Sequence, residues 1–131
     1  MTQKSKIHIG TSGWYYEHWG GAFYPSDLDK GDYLDYYCQR FQTVEVNNSF
    51  YQLPEAATIK QWQETTPRDF TFSIKASRYI THRKKLKDPS DPVQGFLERV
   101  SILGGKLGPI LFQLPPNWRP NMERLRAFLK I

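Results

Sequence analysis

The sequence of 131 residues contains a single cysteine, Cys38, and it lacks any apolar run of membrane-spanning length. One cysteine excludes an intramolecular disulfide, and its place within an amphipathic run indicates that the thiol packs as a small apolar side chain. The first residues, MTQKSK, lead into a predicted strand and do not resemble a secretory signal. We therefore expect a soluble, cytoplasmic protein that does not contact membranes.

Several common binding and catalytic motifs are also missing. There is no phosphate-cradling glycine motif, no Gly-x-Ser-x-Gly elbow and no dinucleotide fingerprint, and GGKLGP (104–109) lacks the Ser or Thr that follows the lysine of a P-loop. The histidines His8, His18 and His82 are isolated and do not have the spacing of zinc ligands. We predict no metal site, and no cofactor is indicated.

Aromatic residues and positive charge are what the chain does have. Hydrophobic residues make up 39% of the sequence, yet it contains 4 Trp, 8 Tyr and 8 Phe, so rings must supply much of the buried surface. The formal charge is +5 and the isoelectric point is about 9.4. This charge favours anionic partners such as phosphates, nucleic acid or acidic metabolites, although many ordinary basic domains bind none of them.

Strand and helix patterns alternate four times along the chain. The predicted strands are Lys6–Gly10, Thr43–Asn47, Phe70–Lys75 and Pro109–Leu114. The first predicted helix follows Asp32, a candidate cap, and the second spans 55–65. The third runs from about Val93 to a stop at Gly104-Gly105, and the fourth begins near Asn121. This order predicts an α/β protein with a parallel sheet and crossover helices.

Each predicted strand has one apolar face and one mixed, mostly polar face. Central strands of a doubly wound sheet are apolar on both faces, whereas a parallel barrel keeps polar residues on its inner face toward the carboxyl ends of the strands. The polar residues nearest those ends are Glu45, Asn47, Lys75 and Gln113. We expect them to converge at one mouth of a (β/α)8, or TIM, barrel.

The chain is too short to close such a barrel. A complete barrel needs about 250 residues, and four strands leave the first and the last as unpaired edges. We interpret residues 1–131 as a single domain that is the first half of a longer protein. The alternative is self-association, in which two copies meet through their open sheet edges.

Four blocks in this order resemble the signature blocks of the YecE-like proteins, a family built on domain of unknown function 72. The blocks are GTSGWYYEHWGGAFYP (10–25), FQTVEVNNSFYQLP (41–54), FTFSIKASRYITHRKKL (70–86) and GPILFQLPPNW (108–118). The resemblance implies a TIM barrel of which this chain supplies the first four βα units. It implies no established activity, so any catalytic set found in this half is incomplete.

Glu45 is the candidate general acid or base, and Lys75 is its candidate partner. The two can equally form a structural ion pair inside the barrel. Asn47 and Gln113 are candidates for orienting a substrate by hydrogen bonds, or they can satisfy each other or backbone groups.

Two loops add candidate ligand contacts. The rings of the stretch 14–24 are expected to form a satellite core over the barrel rim, with Trp14 and Tyr15 kept as ligand-binding residues. In KASRYITHRKKLKD (75–88), we expect Lys75, Arg78 and His82 to lie nearest the mouth. Such a cluster suits phosphate groups, although a solvated basic loop is the commoner meaning, and Lys84, Lys85 and Lys87 are expected in solvent.

Three functions remain open at this point. The first is a YecE-like barrel that binds an anionic, phosphate-bearing ligand and, if it is an enzyme, performs hydrolase or lyase-type acid–base chemistry on it. The second is a nucleic-acid-binding or nucleic-acid-processing barrel that combines rim cations with aromatic stacking. The third is a ligand-binding protein without chemistry.

Overall fold

The structure is a computed structural model that describes residues 6–131. Four strands alternate with four α-helices, in the order β1 (Gly10–Ser12), α1 (Tyr33–Cys38), β2 (Thr43–Val46), α2 (Ala56–Thr65), β3 (Thr71–Lys75), α3 (Ser90–Val100), β4 (Leu107–Leu111) and α4 (Met122–Leu129). Short helical turns lie between them at Glu17–Trp19, Lys30–Asp32, Asn48–Phe50, Tyr79–Arg83 and Ser101–Lys106.

The four strands form one parallel sheet in the sequential order β1-β2-β3-β4. A doubly wound sheet reverses its strand order at a switch point, whereas sequential order with crossovers of one hand places all the helices on one face. The register pairs Thr43 with Thr71 and Glu45 with Ser73, so the polar residues of β2 and β3 share the opposite face. The expected α/β half-barrel fold is confirmed.

The core lies between the sheet and the helices. On β2 and β3 the buried residues are Val44, Val46, Phe72 and Ile74, and the residues between them are only half-buried. The helices contribute Tyr37, Ile59, Trp62, Phe96 and Val100 to the same core. Full burial of a Val, Ile or Phe side chain contributes roughly 1.5–3 kcal/mol, so this face is a large source of stabilisation.

The first strand begins later than predicted. Ile7 and Ile9 alternate like strand residues, but they are 86% and 71% exposed, and the strand is Gly10–Ser12. Strand residues need a partner, and β2 offers one only from Thr43, which pairs with Gly10. The predicted strand Lys6–Gly10, which contains Ile7 and Ile9, is therefore wrong except at Gly10.

The other boundaries differ by fewer residues. β4 is Leu107–Leu111, so it begins two residues before the predicted Pro109. β2 ends at Val46 because the backbone of Asn47 turns to φ −95° and ψ −29° and starts a helical turn. Beyond β4, Phe112 continues the apolar face and packs edge-on against Phe128 of α4 at 4.8 Å.

The predicted helix signals succeed in two cases and fail in one. Asn121 caps α4, since its Oδ1 accepts a hydrogen bond from Arg124 N at 3.0 Å. α3 ends at Val100, and the following turn is interrupted at the predicted stop, where Gly104 has non-helical angles of φ +58° and ψ −131°. Asp32 precedes α1, but its side chain makes no capping hydrogen bond. Asp29 instead accepts from Gly31 N at 2.8 Å and caps the short turn before α1.

A buried lysine joins the second unit to the fourth. Lys106, immediately before β4, donates hydrogen bonds to Thr66 O at 2.5 Å and to Gln63 O, both at the end of α2. The last carbonyls of a helix have no partner within the helix and carry partial negative charge, so they are a natural site for an ammonium group. The cation thereby fixes the end of α2 against the start of β4.

Candidate functional site

The carboxyl ends of β1, β2 and β3 lie at one edge of the sheet, and three segments extend from it. We refer to residues 13–24 as the first loop, to 47–54 as the second loop and to 75–88 as the basic segment. These three segments and the open face of the sheet form the candidate site.

Glu45 lies half-buried on the open face, where sequence reasoning placed it. Its Oε1 accepts a hydrogen bond from Ser12 Oγ at 3.0 Å, and Ser12 and Ser73 are its partners in the register. These residues line a shallow cleft of about 280 Å³. Lys75 is on the same face, but no ion pair joins it to Glu45, so the expected pairing is not formed in the described chain.

Lys75 contacts the second loop instead. Its Nζ lies 4.4 Å from the centroid of the Phe50 ring, a cation–π distance. His82 meets the same ring edge-on, with centroids 5.0 Å apart, and the Arg78 guanidinium lies 5.5 Å from the centroid of Tyr51. The three side chains predicted nearest the mouth therefore converge on two consecutive rings of the second loop.

Ser49 holds this part of the second loop against the sheet. It is 1% exposed, and its Oγ lies 2.6 Å from Lys75 O and 3.0 Å from Val46 O, within donating distance of both. The hydroxyl thus connects the turn at Asn48–Phe50 to the end of β3. Because the connection is buried, it fixes where Phe50 and Tyr51 present their rings.

Most rings of the first loop form the expected satellite core. Tyr24 stacks on Tyr33 at 3.8 Å, and its hydroxyl donates to Trp14 O at 2.5 Å. Burial, with smaller contributions from Tyr37 and Tyr33, raises the pKa of Tyr24 far above the ordinary value of 10.0. Trp14 is buried edge-on against Trp62 at 5.0 Å, whereas Tyr15 is exposed.

A second cleft, of about 240 Å³, lies between the first and second loops. It is lined by Gly13, Trp14, Tyr15, Tyr16, Val46, Asn47, Asn48 and Tyr51. The predicted residues Trp14, Tyr15 and Asn47 thus share one cleft, and Tyr51 connects it to Arg78. Gln113 is exposed beyond the end of β4 and does not line this cleft.

Sequence reasoning missed Ser12, Asn48, Phe50 and Tyr51. For Asn48, Phe50 and Tyr51 a signal is visible in retrospect, because NNSFY (47–51) follows a strand that carries a carboxylate on its open face. Ser12 has no such signal, since only the register with Glu45 shows its role.

The backbone of the basic segment is unusual. Tyr79–Arg83 is a π-helix, and it is followed by three non-glycine residues with positive φ, Lys85 (48°), Leu86 (63°) and Asp88 (44°). Buried Leu86 anchors the segment, and its N–H donates to Ile80 O at 3.0 Å. π-helices and left-handed non-glycine residues are enriched at functional sites, where the surrounding structure holds them in place.

The cations of the segment differ in exposure. Lys85 and Lys87 are exposed, as expected, whereas Lys84 is half-buried. Within residues 6–131, no three His, Cys, Asp or Glu side chains are grouped to hold a metal ion. In the same range, no helix combines the length and apolarity needed to cross a membrane.

Sequential parallel strands, helices on one face and polar side chains on the other define an α/β protein of the TIM-barrel class. The chain belongs to the family described as "Protein of unknown function DUF72", whose model matches residues 8–131.

Relatives by sequence include two proteins whose names carry the label UPF0759. The chain is 32% identical to UPF0759 protein YecE of Escherichia coli K12 over 114 residues, which cover 87% of this chain and 39% of YecE. It is 31% identical to UPF0759 protein YunF of Bacillus subtilis 168 over 130 residues, which cover 95% of this chain and 45% of YunF.

Solved structures show the same fold. The DUF72 family protein TM1631 of Thermotoga maritima superposes with a TM-score of 0.77 at 30% identity, over 92% of this chain and 51% of that one. For EF0366 of Enterococcus faecalis the TM-score is 0.63 at 22% identity, over 76% and 42% of the two chains. The chain thus spans about half the length of the relatives it matches.

Proposed function

We propose that this chain binds an anionic, phosphate-bearing ligand at the carboxyl-end edge of the sheet, with Lys75 and Arg78 supplying the positive charge and His82 beside them. The observation that carries the proposal is their convergence on Phe50 and Tyr51 without a carboxylate. None of the three belongs to an ion pair among residues 6–131.

Unpaired cations at one edge of a sheet attract anions. The basic segment contains six Lys and Arg side chains and one acidic residue, Asp88. Arg78 is exposed, so its planar guanidinium is available for two parallel hydrogen bonds to a phosphate. Lys75 is half-buried, which reduces the screening of its charge by solvent.

Glu45 is the proposed proton-transfer group beside this anion site. It lies on the same open face as Lys75, and Ser12 Oγ orients its carboxylate. General acid–base catalysis requires a carboxyl group within hydrogen-bonding reach of the reacting atom, and the position of Glu45 on β2, the strand paired with the one that carries Lys75, supports this role. The reaction class that fits is hydrolase or lyase chemistry on an anionic substrate.

A thermal-shift series at low salt tests the anion site. Inorganic phosphate, ribose 5-phosphate and nucleoside monophosphates are added to the wild type, to Arg78→Met and to Arg83→Met, which removes the same charge from an exposed position in the same segment. A ligand that binds the folded state raises the melting temperature by mass action. We expect phosphate compounds to stabilise the wild type and Arg83→Met, and to stabilise Arg78→Met much less; equal loss in both variants would contradict the proposal.

Glu45→Gln tests the acid–base role separately. The substitution preserves shape and hydrogen bonding but cannot transfer a proton as a carboxyl group does. With a phosphate compound found in the first series, we expect Glu45→Gln to retain the thermal shift and to abolish turnover in a full-length protein of this sequence. Unchanged turnover would remove Glu45 from the mechanism and leave the binding site standing.

Nucleic-acid binding is the second candidate, favoured by exposed cations that continue past the cleft. Arg83, Lys85 and Lys87 are exposed, and their charges extend along the segment. A phosphate backbone contacted by such a row gives an affinity that decreases steeply with salt. Removal of one contacting charge, as in Lys85→Ala, is then expected to reduce the slope of log affinity against log salt by about 1.

A further inference from the structure

We propose that the 240 Å³ cleft between the first and second loops binds the planar base of a free nucleotide whose phosphate occupies the cation site. This inference rests on the proposed function and adds the chemical class of the ligand. The cleft is smaller than the roughly 300–1,000 Å³ of typical sites for whole small molecules, so it suits one ring system of a larger ligand.

Two exposed rings provide the stacking surfaces. Tyr15 is 56% exposed and Tyr51 is 63% exposed, although each belongs to a loop held by buried neighbours. Tyr15 contacts Tyr33 at 5.8 Å, and Tyr51 contacts Phe50 edge-on at 5.0 Å, so one side of each ring is positioned by the protein. The remaining ring surface lines the cleft, where a flat heterocycle can stack.

The neighbouring side-chain amides of Asn47 and Asn48 provide the polar contacts of the cleft. Asn47 occupies the N-cap position of the turn Asn48–Phe50, yet its side chain does not cap that turn. Asn is among the residues that cap best, so a carboxamide that lines the cleft instead is available to a ligand. A carboxamide presents a donor beside an acceptor, which matches the edge of a nucleobase.

The backbone at Gly13 and the ring of Tyr16, both in the first loop, form one wall of the cleft. Gly13 lines the cleft with a φ of +84°, and a Cβ there would lie 2.6 Å from Tyr16 Oη. Tyr16 Oη donates to Ser12 O, and Gly13 N donates to Glu45 O at 2.8 Å. The cleft wall is thus continuous with the strand that carries Glu45.

Tyr51 links the proposed cation site to the cleft. The same ring that lines the cleft has the Arg78 guanidinium 5.5 Å from its centroid. A ligand with its base on Tyr51 therefore has a phosphate-binding cation within the length of a nucleotide. This arrangement distinguishes a nucleotide from a sugar phosphate, which has no flat face to stack.

The test compares affinities for AMP, UMP, adenosine, ribose 5-phosphate and a trinucleotide, measured by isothermal titration calorimetry. We expect the monophosphates to bind at least tenfold more tightly than ribose 5-phosphate. Stacking is lost in Tyr51→Leu and kept in Tyr51→Phe, so the first should reduce the preference for AMP over ribose 5-phosphate by about 5- to 100-fold and the second should preserve it. Tyr79→Leu, which changes an exposed ring outside the cleft, is the matched control and should preserve it as well.

The outcomes separate this inference from the proposed function. Equal affinity for AMP and ribose 5-phosphate, with both lost in Arg78→Met, would overturn the base site and retain the anion site. Equal affinity for adenosine and AMP, unaffected by Arg78→Met, would overturn the anion site. A trinucleotide that binds more than tenfold tighter than AMP would overturn the free nucleotide in favour of nucleic acid. Near-UV circular dichroism of each variant confirms that the fold is kept.

Discussion

The aromatic rings of the first loop and those of the second loop have different neighbours. In the first loop, Tyr24 is buried, stacks on Tyr33 and donates its hydroxyl to a backbone carbonyl. In the second loop, Phe50 and Tyr51 meet Lys75, His82 and Arg78. Rings packed on rings contribute stability, whereas the two rings of the second loop contact basic side chains at the proposed anion site.

Two tyrosines, Tyr37 and Tyr51, show the same difference between a buried and an exposed side chain. Tyr37 Oη accepts from Thr11 N at 3.0 Å and donates to Thr43 O at 2.9 Å, so it bridges the start of β1 to β2. Tyr51 lines a cleft and stands 63% exposed. Residue type alone is therefore a poor guide to function here, and the contacts of each ring decide its role.

The largest expected effect is a loss of stability on removal of the buried ring of Tyr37. Tyr37→Ala removes a fully buried ring from the core and its three hydrogen bonds to Thr11 and Thr43. We expect the free energy of unfolding, measured by urea denaturation, to decrease by about 3–5 kcal/mol. Tyr51→Ala is the counterpart, with an expected change within about 0.5 kcal/mol. A similar loss in both variants would show that the second loop is part of the core.

A smaller loss of stability is expected at Ser49, where the second loop meets the sheet. Ser49→Ala deletes the hydroxyl that connects the second loop to Lys75 O. We expect a loss of about 0.5–1.5 kcal/mol in urea denaturation, together with weaker binding of phosphate compounds because Phe50 and Tyr51 are no longer fixed.

Ser101→Ala is the control for that change. Its hydroxyl also donates to a backbone carbonyl, Glu98 O at 2.7 Å, but at an exposed helix end. It should alter neither stability nor binding. If Ser49→Ala leaves phosphate binding at the level of Ser101→Ala, the second loop does not position the cations.

The smallest expected effect is a dependence of stability on alkaline pH. Because burial raises the pKa of Tyr24, the folded state keeps the phenolic proton above the ordinary value of 10.0, where the unfolded chain has lost it. The unfolded state then binds fewer protons, so the free energy of unfolding decreases as the pH rises from about 10. Urea denaturation between about pH 9 and 12 should show a shallower decrease for Tyr24→Phe than for the wild type. Tyr51→Phe should keep the wild-type slope, and an identical slope for Tyr24→Phe would contradict the assignment.

The fold was predictable because periodicity carries its information. Alternation on β2 and β3 identified both faces of the sheet, and four repeats of strand and helix indicated parallel strands. The error at Ile7 and Ile9 has a physical cause. Alternation reports which residues could share a face, but it does not report whether a neighbouring strand is present to pair with them.

The site was only partly predictable, because its geometry depends on contacts between segments distant in sequence. Glu45 and Lys75 were placed on one face by alternation, yet Lys75 contacts Phe50 rather than Glu45. No local pattern distinguishes those two partners. Likewise, Asn47 was assigned to the strand, and only its helical backbone angles show that it turns toward the cleft.

The ammonium group of Lys106 has a consequence for how far the molecule can be divided. It completes the last turn of α2 from a position forty residues later in the chain, just ahead of β4. A protein shortened after α3 would leave those carbonyls uncompensated, so the second βα unit is finished only when the fourth has been made. The shortest piece in which the end of α2 keeps this ammonium group therefore extends beyond α3 to the start of the fourth unit, so a single βα repeat is not a self-sufficient building block.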